Sequence, residues 1–121
     1  MESEQKRRTT PRFNFYAPAE LVSARATELT AVNSLSLYGC YLEPTSLEPP
    51  GTLLTVKIFC RDQSFEAIAT VLYVLPNHGI GLRFSEVKPR FLYMLGEWLG
   101  QAMEAQISAP SMNSFSCDTK A

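Results

Sequence analysis

Residues 6–13, KRRTTPRF, bring Lys6, Arg7, Arg8 and Arg12 into one short stretch. An arginine side chain is a planar, permanently charged fork. It bonds phosphate or the O6/N7 edge of guanine at two points, and its face stacks on a purine. Such a cluster suits a small, multiply charged anion. A second polar cluster lies in VNSLSLYGCYLE (32–43), where apolar residues flank Asn33, Ser34, Ser36 and Gly39. Hydroxyl and amide groups offer donors and acceptors close to the backbone. Gly39 permits a positive φ or the close approach of a ligand. Taken singly, the first stretch reads as a solvated tail and the second as a hairpin turn.

The charge around these clusters narrows the choice. The 121-residue chain carries a formal net charge of −1. Residues 1–12 hold four basic side chains against Glu2 and Glu4, a balance of +2, and the other residues hold seven basic against ten acidic, a balance of −3. A nucleic-acid-binding barrel would pair a basic groove with stacking aromatics, whereas this body is acidic. Cys40, Cys60 and Cys117 are far apart, no CxxC pair exists and His78 is the only histidine. That pattern argues against a metal site and reads as thiols in a reducing cytosol. The N-terminus has no apolar run of signal type, and no apolar run approaches the ~18 residues of a membrane span. A cytoplasmic protein without membrane insertion is expected.

The elements that must position the two clusters follow from periodicity. TLLTVKIFC (52–60) alternates, with Leu54, Val56, Ile58 and Cys60 on one parity, the signature of a half-buried strand. SFEAIATVLYVL (64–75) follows a turn around Asp62, and GIGLRFS (79–85) follows the PNHG turn. ELVSARATEL (20–29) is compatible with one weakly patterned strand, while EPTSLEPPG (43–51) is a proline-rich loop. Residues 88–106 change period. Phe91, Leu92, Leu95, Trp98, Leu99 and Met103 form one helix face, Pro89 suits the first turn, and Gly96 with Gly100 would let the helix lie close on a sheet. Short strands with turns, then one amphipathic helix, indicate a mostly β protein: a small antiparallel barrel capped by a helix. The chain divides into an N-terminal arm (1–12), a barrel and helix (13–106) and a Ser/Pro/Asn/Thr-rich tail (107–121) read as disordered.

No catalytic constellation emerges. His78 lies in a turn without a neighbouring nucleophile motif, GIG precedes a strand where a phosphate loop precedes a helix, and the carboxylates are scattered. A non-enzyme is expected. In order and context, however, RRTTPRF, SLSLYGCYL, two longer strands, GIGLRF and a terminal helix resemble the PilZ domain family over roughly residues 6–105. Its hallmarks are an RxxxR arm and a [D/N]xSxxG strand-turn on a six-stranded antiparallel β-barrel with a C-terminal α-helix.

The resemblance implies binding of cyclic di-GMP, a bacterial second messenger with two guanines and two phosphates. Arg8 and Arg12 match the two arginines, Ser36 the motif serine and Gly39 the motif glycine; Arg7 adjoins the motif as a further contact. The Asp/Asn position falls on Ser34, with Asn33 one residue earlier. On a regularly alternating strand those two side chains would face opposite ways, and only a local bulge would bring Asn33 round. In such a family the flexible arm closes over the ligand and relays the event to a partner protein. The other reading is a PilZ-like adaptor that has lost the ligand and acts through protein–protein contacts.

Overall fold

The computed structural model describes residues 12–44, 49–108 and 115–116. Among the described residues, seven strands and one helix follow in the order β1 (Arg12–Val22), β2 (Thr27–Ser36), β3 (Gly39–Leu42), β4 (Leu53–Cys60), β5 (Gln63–Leu75), β6 (Gly79–Glu86), α1 (Pro89–Ser108) and β7 (Phe115–Ser116). Strands β1 to β6 are antiparallel in the order β2-β3-β6-β5-β4-β1, and pairing of β1 with β2 closes them into a six-stranded barrel. On its other side β1 pairs with β4 over Ala19–Val22.

The core follows the alternation of the strands. On β4, Leu54, Val56, Ile58 and Cys60 are buried, as the period-two pattern requires. On β5, Phe65, Ala67, Ala69 and Val71 meet them from the next strand. The turn between these strands places Arg61 at φ 59°, a left-handed conformation costly for a side-chain-bearing residue. Helix α1 covers the barrel with Leu95, Trp98 and Ala102 buried and Phe91, Met94 and Leu99 packed at the margin. The Trp98 indole stacks on Phe15 at 5.7 Å and lies 6.1 Å from Phe65. Its Nε1–H donates to Gln63 Oε1 at 2.9 Å, so the polar edge of a buried ring is satisfied.

Several expectations are corrected. Residues 20–29 are not one strand. Ser23 N–H donates to the Ala26 carbonyl at 2.9 Å, and Ser23 Oγ accepts from the Arg25 and Ala26 N–H groups, so a tight turn separates β1 from β2. Strand β1 already begins at Arg12, which therefore belongs to the barrel. Leu92 and Met103 are about half exposed, because the helix seats the 91/95/98/102 line on the barrel. A Cβ at Gly96 or Gly100 would meet nothing within 4 Å, so neither glycine serves a close helix–sheet approach.

Cys40 is a buried free thiol, but Cys60 is disulfide-bonded, which withdraws the support that cysteine usage gave to a reducing compartment. Cys117 lies outside the described residues, as does most of the segment read as a tail. Within that segment α1 reaches Ser108, and Phe115–Ser116 pair in parallel with Phe15–Tyr16 of β1. Among the described residues no helix is long and apolar enough to cross a membrane.

Candidate functional site

Arg12 opens β1, where RFNFY alternates polar and aromatic residues: Phe15 is fully buried, Phe13 is half-buried, and Arg12, Asn14 and Tyr16 are exposed. Directly opposed residues of neighbouring strands project to the same side of a sheet. Arg12 is opposite Ser36 and Asn14 is opposite Ser34, while the intervening Phe13 faces the buried Leu35. The arginine and both motif serines therefore share the barrel's outer surface. Arg7 and Arg8 lie outside the described residues.

Asn33 joins this surface through a bulge. Between β2 and β3, Val32 is opposite Leu42 and Ser34 opposite Tyr41, which leaves Asn33 as the extra residue. The β1–β2 register shifts at the same level, between the Asn14–Ser34 and Ala17–Val32 pairs. Val32 and Leu35 are both buried, three positions apart, while Asn33 and Ser34 between them are both only half-buried. Strict alternation would have turned one of the two into the core. The extra residue spares Asn33 that fate and keeps it off the core beside Ser34.

Ser36 and Gly39 shape the turn between β2 and β3. Ser36 Oγ accepts the Tyr38 and Gly39 backbone N–H groups, each at 3.2 Å, and donates to the Gly39 carbonyl at 3.3 Å. This is a side-chain-built turn of the serine/threonine type. Both lone pairs and the proton of the hydroxyl are thereby engaged. Gly39 is required for close approach and not for a positive φ, since the positive-φ glycines are Gly51 and Gly79. A Cβ at 39 would clash with the Leu82 carbonyl oxygen and sit 3.2 Å from the Arg83 Cα. Phe84 N–H also donates to the Tyr38 carbonyl at 2.8 Å, fixing the turn to β6.

A neighbouring rung of the same surface is aromatic. Tyr41 of β3 and Tyr73 of β5 each oppose Gly81 of β6, and their ring centroids are 6.4 Å apart. The Tyr73 ring occupies the space a Cβ at Gly81 would need. A register shift between Val71 and Tyr73 leaves Leu72 and Tyr73 both on the outside.

Elsewhere, His78 remains in its turn with Nδ1 donating to the Pro76 carbonyl at 3.0 Å. Among the described residues no cluster of three or more His, Cys, Asp or Glu side chains could hold a metal. Burial pushes the Cys40 thiol up from 9.0 to about 12, so it stays protonated and poorly nucleophilic at neutral pH. Asn14 and the Tyr41–Tyr73 pair were missed by sequence reasoning. The RFNFY alternation marks Asn14 as an outward residue, but the tyrosine pair depends on strand order and left no local signal.

Residues 6–101 match the PilZ domain family model. No curated protein matches the sequence. Among solved structures, the chain is similar to the PilZ domain with c-di-GMP of YcgR from Escherichia coli, at 16% identity and a TM-score of 0.67, covering 86% of this chain and 98% of that one. It is similar to the Bacillus subtilis inhibitor of motility MotI/DgrA at 14% identity and a TM-score of 0.68, covering 81% of this chain and 52% of that one. The PilZ domain of CeSA from a cellulose-synthesizing bacterium matches at 16% identity and a TM-score of 0.55, over 70% of this chain and 90% of that one. At these identities the structural likeness speaks to the fold.

Proposed function

The chain belongs to the PilZ domain family, and we propose that it is a cyclic di-GMP receptor that works by binding alone, without catalysis. The observation that carries this reading is the register: Arg12, Ser34 and Ser36 stand on one outer surface, and the bulge adds Asn33 to it. The E. coli neighbour, whose structure holds c-di-GMP on the same fold, supports it.

Each residue then has a role suited to its chemistry. Arg8 and Arg12 bond phosphate or a guanine edge, with Arg7 adjoining them. The Asn33 amide offers both a donor and an acceptor to a guanine edge, a reach that the Ser34 hydroxyl lacks. Ser36 holds the turn, and Gly39 lets that turn lie close against β6 beneath the ligand. Arg12 lies on the barrel while Arg8 stands four residues earlier in the arm. A ligand held by both ties the arm to the barrel, and this ordered surface is what a downstream protein in the cytoplasm would read.

Equilibrium titration of the purified chain with cyclic di-GMP tests the proposal. Saturable binding is expected, and Arg8→Ala and Arg12→Ala should each weaken it by roughly tenfold or more, as loss of a charge-assisted contact requires. Absence of saturable binding at micromolar ligand would overturn the receptor reading and leave an adaptor acting through protein contacts.

A further inference from the structure

Arg83 of β6 lies opposite Gly39 of β3 on one side and Thr70 of β5 on the other. Since opposed residues share a face, one line runs over the outside of the barrel from Arg12 through Ser36 and the turn to Gly39, Arg83 and Thr70. From Arg12 to Arg83 the line spans β1, β2, β3 and β6, so the two arginines stand three strand spacings apart along the barrel surface, roughly 14 Å at about 4.8 Å each. No side chain rises from Gly39 between them.

The arginines on this line differ from the others described. Arg25 and Arg61 have interaction partners, and the Arg90 guanidinium lies 4.7 Å from the Phe91 ring centroid. Among the described residues, the Arg12 and Arg83 side chains form no ion pair or side-chain hydrogen bond. Neither the Arg12–Arg83 line nor the adjacent Asn14, Ser34, Tyr41, Gly81 and Tyr73 line contains a carboxylate. Thr70, beside Arg83, is already engaged with Ser85 at 2.6 Å. Two residues along β6, the outward Tyr73 ring covers Gly81 and gives a flat apolar surface next to the charge. A guanidinium beside an exposed aromatic ring is a receptive surface for a nucleotide, since the ring accepts a base and the cation a phosphate.

We propose that Arg83 is a further ligand-binding residue, and that it takes the half of the cyclic dinucleotide turned away from Arg12. The proposal rests on the receptor reading above. The two-fold character of the ligand explains why two unpaired guanidinium groups flank one bare turn. Arg12 meets one guanosine phosphate unit, and Arg83 beside Tyr73 meets the other. The turn that separates them is tied to β6 through the Phe84–Tyr38 hydrogen bond, which sets the spacing between the two positions.

Titration of the full chain with cyclic di-GMP and with GMP distinguishes this role from a structural one. Arg83→Ala should weaken cyclic di-GMP binding roughly tenfold or more. Arg83→Lys should recover only part of the loss, because it restores charge without the fork. The weak binding of GMP, a single unit seated by Arg12, should change less than about threefold in Arg83→Ala but collapse in Arg12→Ala. Lys88→Ala serves as the exposed-cation control, and unchanged thermal melting verifies the fold of each variant. Cyclic di-GMP affinity that survives Arg83→Ala while falling in Arg12→Ala would overturn the proposal and leave the receptor reading standing. Failure of the unmodified chain to bind cyclic di-GMP would overturn both.

Discussion

A strand that alternated strictly would send Asn33 and Ser34 to opposite faces, and the one-residue shift between β2 and β3 is what avoids it. The amide that the family's motif calls for is therefore present one position early. We expect Asn33→Ala to weaken cyclic di-GMP binding by roughly ten- to a hundredfold, the range of about 1–3 kcal/mol for one good base contact. Ser34→Ala should change it by less than about threefold; equal losses in both variants, measured by calorimetry, would contradict this division of labour. The residue types at the site were legible in the sequence, because arginines at RxxxR spacing and a serine–glycine turn are local patterns. The bulge was not. It is a relation between β2 and two neighbouring strands, and no property of Asn33 or its chain neighbours declares it. Arg83 was illegible for the same reason, since its place beside Gly39 follows from β3 pairing with β6, some forty residues away.

Elements show the same division. Strand β4 was readable from its period, and α1 from its three- and four-residue steps. Strand β1 was not read, because Pro18 within it removes a ladder donor and the bulge near Asn14–Ala17 breaks the repeat. The turn after β2 yields two predictions. Ser36→Ala removes the acceptor of two backbone N–H groups and should cost about 1–2 kcal/mol, read as a fall in melting temperature of several degrees. Gly39→Ala forces a methyl against the Leu82 carbonyl, a backbone atom that cannot swing aside, and should cost about 1–3 kcal/mol or more. Denaturant midpoints compare the two; a neutral Gly39→Ala would mean that β3 and β6 separate easily. Beneath α1, Gln63→Leu leaves the Trp98 N–H buried without an acceptor and should destabilise by about 1–3 kcal/mol.

At the scale of the whole molecule, Cys40 links burial to pH. Its folded-state pKa of about 12 exceeds the ordinary value of 9.0, so in that interval the native state keeps a proton that the unfolded chain releases. Stability owed to this group is intact below pH 9.0 and declines as the pH climbs from there toward about 12. Urea midpoints at pH 8 and pH 10 should therefore fall more steeply for the unmodified chain than for Cys40→Ala. Equal slopes would show that the thiol titrates normally in the fold.

Trp98 has a use beyond packing. It is the chain's only tryptophan, it stacks on Phe15, and Phe15 stands three residues from Arg12 along β1. Its ultraviolet emission comes from a single site at the root of the segment that carries the arginines. Adding ligand to the unlabelled protein should shift that emission if β1 moves when Arg12 is engaged. The intensity of one native chromophore would then trace the response in real time.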